Sequence, residues 1–222
     1  MAIPAIASYP MPTEDELPRN VASWTIDPAR AVLLIHDLQH YFMRPFDADR
    51  APMADLMDNV AALRARFAEC GAPVAYTAQP GGMSDEQRGL LKDFWGPGMT
   101  AEPGQRMIPD RIAPNAADTV FTKWRPSAFF RTGLLDLLRA QGRDQLVICG
   151  VYAHVGILMT AHEAFSHDIE TFVVADAVAD FSPEYHRMAL DYLASRCAVT
   201  VSTRVALSTA TATATTSGGA KR

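Results

Sequence analysis

A chain of 222 residues with a formal charge of −5, 49% hydrophobic and 20% charged, has the length and apolar content for one well-buried domain. That composition excludes a disordered chain, and its mild acidity argues against nucleic acid as the main partner, since neutralising phosphates needs a basic face. The longest apolar run, Ala31-Val32-Leu33-Leu34-Ile35, stops at His36-Asp37, well short of the ~18 residues of a membrane span.

Residues 1 to 28 are proline-rich and irregular and read as an arm packed across the domain. Met1 to Pro18 carry neither the basic start nor the apolar segment of a secretory leader, so a cytoplasmic setting is expected. Cys70, Cys149 and Cys197 are odd in number and lack metal-type spacing, which fits buried thiols in a reducing compartment better than a disulfide framework.

From residue 31 onward, short β-branched apolar runs alternate with stretches of helical period, the pattern of an α/β domain. Ala31 to Asp37 reads as the first strand. In the helix expected over Asp55 to Cys70, Leu56, Val60, Leu63 and Phe67 share one face. Pro73 to Thr77 is the second strand, and Ser84 to Lys92 opens as a capped helix, with Gln87 three residues after Ser84. Thr119 to Lys123 is the third strand. Thr132 to Gln141, Gln145 to Val151, Val155 to His167, Thr171 to Ala175, Pro183 to Arg196 and Ala198 to Thr203 continue helix, strand, helix, strand, helix, strand. The fold expected is doubly wound: a mostly parallel six-stranded sheet with helices on both faces, formed by residues 1–207. Residues 208–222, almost all Ser, Thr, Ala and Gly, are expected to be a flexible low-complexity tail.

Ligands in such sheets bind beyond the carboxyl ends of the strands. That singles out His36-Asp37, Gln79, Lys123 and the stretch Tyr152 to Gly156. No G-x-G-x-x-G follows a strand and no phosphate-binding G-x-x-x-x-G-K-[ST] occurs, so no nucleotide cofactor is expected, and the Gly81-Gly82 and Gly96-Pro97-Gly98 clusters read as loop punctuation. The absence of G-x-S-x-G argues against a serine hydrolase of the α/β type. The histidines read as ordinary hydrogen-bonded residues and no metal is expected, because His36 and Asp37 should point to opposite faces of a strand and His162 and His167 to different sides of a helix.

Asp37, at the end of an apolar strand, would be desolvated, which raises its pKa and suits it to carry a proton near neutral pH; a loop-anchoring hydrogen bond is the equal alternative. Lys123 is by default a snorkelling surface residue, unless the two share a pocket.

Three segments join these positions. Val32-Leu33-Leu34-Ile35-His36-Asp37-Leu38-Gln39, Thr122-Lys123, and Cys149-Gly150-Val151-Tyr152-Ala153-His154-Val155-Gly156 resemble the isochorismatase-like hydrolases. Tyr76 to Gly81 and Gln87 to Gly98 resemble most of all the branch of that family that serves phenazine biosynthesis. Amidases of the family use an Asp, a Lys and a nucleophilic Cys; the position of that Cys is Gly156 here, so the resemblance implies the family's ether hydrolysis without a covalent intermediate.

The substrate implied is a small anionic chorismate derivative. It is 2-amino-2-deoxyisochorismate, split to trans-2,3-dihydro-3-hydroxyanthranilate and pyruvate, or alternatively isochorismate, as in siderophore biosynthesis; a catalytically silent binding protein is the alternative of another class. The resemblance implies Asp37 as general acid and Lys123 as a ligand of substrate carboxylate. It implies Gln79 and Arg88 as polar contacts, and Phe42, Trp95 and Tyr152 as walls. Gly156 would leave space and offer backbone N–H groups. Lys123 alone would lower the pKa of Asp37, so the acid is expected to be poised in the complex. A cis peptide near Val151-Tyr152 and a homodimer are further expectations from the family.

Overall fold

The computed structural model describes residues 3–212. Six strands form one sheet: β1 (Ala31–His36), β2 (Val74–Ala78), β3 (Thr119–Thr122), β4 (Gln145–Val151), β5 (Glu170–Ala179) and β6 (Val199–Val201). Their order across the sheet is β3-β2-β1-β4-β5-β6, and every neighbouring pair is parallel. The short helices α1 (His40–Met43), α3 (Asp85–Arg88), α4 (Leu91–Trp95) and α5 (Pro103–Arg106) lie in the connections at the carboxyl ends of β1 and β2. The longer ones are α2 (Met53–Glu69), α6 (Leu134–Ala140), α7 (Leu158–Ser166), α8 (Pro183–Arg196) and α9 (Thr203–Ala212).

Alternation along the central strands sorts the core into two halves. Leu33, Ile35, Val147, Cys149, Phe172 and Val174 pack with Leu56, Val60, Leu63 and Phe67 of α2 and Ala206 of α9. Val32, Leu34, Leu146, Ile148 and Val173 pack on the other face with Leu134 and Leu138 of α6, Ala161 and Ala164 of α7, and Leu190 and Leu193 of α8. Burial on both faces is why β1 and β4 read as unbroken apolar runs.

Among its described residues the arm has no strand, and its buried Ile6, Tyr9 and Ile26 join the core. Tyr9 Oη accepts the backbone N–H of Asp180 at 2.7 Å, and the Asn20 side chain pairs with both backbone groups of Thr200 on the edge strand.

Several boundaries differ from the sequence expectation. The helix expected over Ser84 to Lys92 has its capping box but breaks at Gly89, whose φ of 52° turns the chain and starts α4 two residues later. The helix expected from Val155 begins earlier, in a π-helical turn over Ala153–Ile157 that leads into α7. β5 runs four residues beyond Ala175. The strand expected over Ala198 to Thr203 stops at Val201, because Ser202 caps a helix there: its hydroxyl accepts the Val205 N–H, and Thr203 is fastened to Asp176. That helix carries order past residue 207 to Ala212, which moves the expected tail boundary; residues 213–222 lie outside the described residues.

Candidate active site

The strand order places a topological switch point between β1 and β4, whose following connections diverge and leave a crevice at their carboxyl ends. The crevice holds a cleft of about 590 Å³, its open mouth included, lined by Asp37, Gln79, Arg88, Lys123, Tyr152 and Gly156, with Phe42 and Trp95 on its walls. All eight residues singled out from the sequence therefore meet in one place.

Asp37 does not continue β1. It takes a left-handed backbone conformation with φ 53°, which Asp tolerates better than most residues and which turns its carboxylate into the cleft. Oδ2 accepts a hydrogen bond from Lys123 Nζ at 2.8 Å, and Oδ1 accepts one from the Thr77 hydroxyl at 2.6 Å. The Asp37 N–H in turn donates to Thr77 Oγ1 at 3.1 Å. Both charged groups of the pair are nearly inaccessible to solvent, so Lys123 is no snorkelling surface residue. Burial pushes the Asp37 carboxyl upward, but the adjacent ammonium and the Thr77 hydroxyl outweigh it and hold the group below its ordinary value. The elevation expected from the apolar strand alone is thus reversed in the free protein, as a positive Lys123 would require.

Arg88, on α3, is buried beneath its own loop. Its Nε donates to the Gly96 carbonyl at 2.9 Å and one Nη to Gln79 Oε1 at 3.3 Å. Among the described residues no carboxylate forms an ion pair with it. Burial lowers its pKa. Gly98 is more than punctuation: a Cβ there would lie 2.9 Å from the Arg88 guanidinium carbon, so only glycine lets the loop close on this side chain.

The walls are aromatic. Tyr152 donates its hydroxyl to the Phe42 carbonyl at 2.6 Å, stacks on Phe46 and meets Phe181 at 4.5 Å between ring centres; Trp95 also approaches Phe181, at 5.9 Å. The Val151–Tyr152 peptide is cis.

The sequence reading missed several members. Thr77 sits inside a strand and carried no signal. Gln39 lies two residues after Asp37 and had no assigned role; its amide accepts the Gln79 N–H at 2.8 Å and donates to the Gln79 and Arg106 carbonyls, tying the connection after β1 to the one after β2. Tyr41, Leu91, Arg125, Val155, Phe181 and Ile3 of the arm also line the cleft. Cys149, in contrast, is buried within β4; its thiol faces the Leu34 carbonyl, and burial raises its pKa. It is neither ionised nor placed as a nucleophile.

Three cations and one carboxylate converge in this cleft, and no side chain stands at position 156. The isochorismatase domain family matches residues 31–205. The chain belongs to the isochorismatase family of hydrolases. It is 57% identical to "Phenazine biosynthesis protein PhzD1" of Pseudomonas aeruginosa over 90% of this chain and 96% of that one. It is 54% identical to "Isochorismatase" of Bacillus subtilis over 91% of this chain and 65% of that longer protein. Among solved structures, a cysteine hydrolase from Pseudomonas syringae pv. phaseolicola superposes with a TM-score of 0.79 at 20% identity, over 88% of this chain and 98% of that one, which speaks to the fold alone. No helix among the described residues is long and apolar enough to cross a membrane.

Proposed function

We propose that this chain hydrolyses the enol-pyruvyl ether of 2-amino-2-deoxyisochorismate to trans-2,3-dihydro-3-hydroxyanthranilate and pyruvate, a step in phenazine biosynthesis. The observation that carries the reading is the buried Asp37–Lys123 pair in a cleft that also holds an acid-free Arg88 and a glycine where a nucleophile would have to stand. The 57% identity to a phenazine biosynthesis protein supports the choice of substrate.

A dicarboxylate entering the cleft meets Lys123, Arg88 and Arg125. Arg88 binds one carboxylate through its free guanidinium edge, and Gln79 orients that guanidinium. Negative charge drawn to Lys123 weakens its hold on Asp37, so Asp37 takes up a proton as substrate binds. Asp37 then delivers that proton to the terminal methylene carbon, leaving an oxocarbenium ion at the ether-bearing carbon. Water adds to that carbon and returns a proton to the Asp37 carboxylate. The hemiketal collapses with cleavage of its bond to the ring oxygen, releasing pyruvate and the ring alcohol. Phe42, Trp95 and Tyr152 keep bulk water from the cation, and Gly156 leaves room for the enol-pyruvyl group.

The test is pyruvate release, followed with lactate dehydrogenase, from the amino substrate and from isochorismate. Preference for isochorismate by orders of magnitude in kcat/KM sinks the phenazine reading in favour of a siderophore isochorismatase, and no turnover of either leaves a binding protein. Replacing Asp37 with Asn is expected to lower kcat at least ~10³-fold with little change in substrate affinity, since the acid acts in the transition state. We further propose a cytoplasmic homodimer formed by residues 1–207 and the remainder of α9. The buried thiols of Cys149 and Cys197 and the exposed apolar Leu90 and Phe94 beside the cleft support that reading. Sedimentation at monomer mass under native conditions contradicts the dimer.

A further inference from the structure

His36 is wholly buried beside Asp37, yet no step above uses it. Its Nδ1 lies 2.8 Å from the Val151 carbonyl oxygen and 3.9 Å from Asp37 Oδ2, while Nε2 lies 3.4 Å from the Thr160 hydroxyl. That hydroxyl donates to the Gly156 carbonyl at 2.7 Å and accepts the Ala128 N–H at 2.9 Å. The Val151 carbonyl only accepts, so the 2.8 Å contact is a hydrogen bond when the ring carries its proton on Nδ1; the Pro126 carbonyl is a second backbone acceptor at the ring. Burial lowers the ring's pKa to about 4, so it is uncharged at neutral pH.

The edge of the same ring lies against Gly156. A Cβ built there would overlap ring atom Cε1 and stand 2.9 Å from Nε2 and 3.2 Å from the Pro126 carbonyl. The volume that a Cβ at position 156 would need is therefore already occupied by His36. The imidazole touches the end of β4, the π-helical turn and α7 at once, on the chain immediately before the acid.

We propose that His36 is a positioning residue, matched to Gly156, that fixes the Val151 carbonyl and thereby sets Tyr152 and the turn after it against the Asp37–Lys123 pair. Glycine at 156 is required by the imidazole and not only by the substrate, so the two positions act as one unit. The pairing also explains how the turn comes so near the acid: with any side chain between them, the ring and the turn would have to separate. The catalytic half of the proposal rests on the ether-hydrolase reading, whereas the pairing itself does not.

Two measurements test it. In protein labelled with ¹⁵N-histidine, the His36 signal, assigned by its loss in His36→Asn, is expected to be a neutral Nδ1–H tautomer at neutral pH. An Nε2–H tautomer or an imidazolium overturns the proposal, and neither outcome depends on the substrate. In pyruvate-release kinetics, His36→Asn, whose amide N–H reproduces Nδ1–H, is expected to keep kcat within about tenfold of wild type, while His36→Ala loses about 100-fold with KM within about threefold. Gly156→Ala is expected to lose about 100-fold in the wild-type background and less than about fivefold in the His36→Ala background. Equal losses for Asn and Ala at position 36, or multiplicative losses in the double variant, overturn it. Should the wild type release no pyruvate, the functional reading fails; the pairing is then decided by the tautomer and by the same double cycle in melting temperature, where additive shifts overturn it.

Discussion

Asp37 carries two opposed demands: Lys123 at 2.8 Å holds it ionised in the free protein, and the proposed reaction needs it protonated. The proton has to arrive with the substrate. kcat/KM should therefore fall as pH rises from about 6 to 8, approaching a tenfold loss per unit, because it reports protonation in the free enzyme. A profile flat across that range is incompatible with Asp37 as the acid. Stability runs the other way: a carboxyl held below its unfolded value stabilises the fold above that value and loses the contribution as pH falls through the native one. Asp37 thus contributes to acid unfolding only below about pH 4, a window visible as a smaller acid sensitivity of Asp37→Asn. Arg88 separates binding from chemistry. Arg88→Ala should raise KM by about 10- to 100-fold, the loss of one charge-assisted carboxylate contact, with a smaller change in kcat. An unchanged KM for the anionic substrate would place its carboxylates elsewhere.

The helices and strands differ in how far their own residues determine them. β1, β4 and α8 were legible almost to the residue, because continuous apolar runs and a Ser182-Pro183 start are local signals. Leu56, Val60, Leu63 and Phe67 all turned inward as their spacing required. The stretch between β2 and β3 was far less legible, since α4 and α5 are one-turn pieces whose conformation follows from closing over the Arg88 side chain and from the Gln39 amide, which reaches Arg106 from 67 residues away. The start of α9 was likewise concealed: Thr203 read as the end of a strand, but Ser202 caps a helix there and Ala206 needs no more than its methyl to seat it against α2. Of the site, Asp37 and Lys123 were visible as polar breaks in apolar strands, whereas Thr77 and the His36–Gly156 contact exist only in three dimensions. The arm offers a test at this scale. Tyr9→Phe removes the acceptor for the buried Asp180 N–H and should cost about 1–2 kcal/mol in denaturant unfolding; no loss would mean that the arm only lies on the domain.

At the scale of the molecule, a protein of net charge −5 binds an anion by local arrangement of charge. Lys123, Arg88 and Arg125 outnumber Asp37 within the cleft, so the field there opposes the global one. Because Lys123 and Arg88 are buried, added salt should weaken kcat/KM less than about fivefold between 50 and 500 mM, the mark of a screened approach and an unscreened site. A tenfold or greater fall would locate the binding charges at the surface.

The strand order has one more consequence. The Asp37 carboxylate meets a hydroxyl 40 residues away on β2 and an ammonium 86 residues away after β3, while Gly156 comes from beyond β4 on the far side of the switch point. Parallel neighbours require a crossover for each pairing, so these contacts close large loops and form late in folding. No half-assembled sheet contains the site. During refolding, catalytic competence should emerge only with the slowest native phase, and in equilibrium titrations it should vanish at the midpoint of the global transition rather than ahead of it.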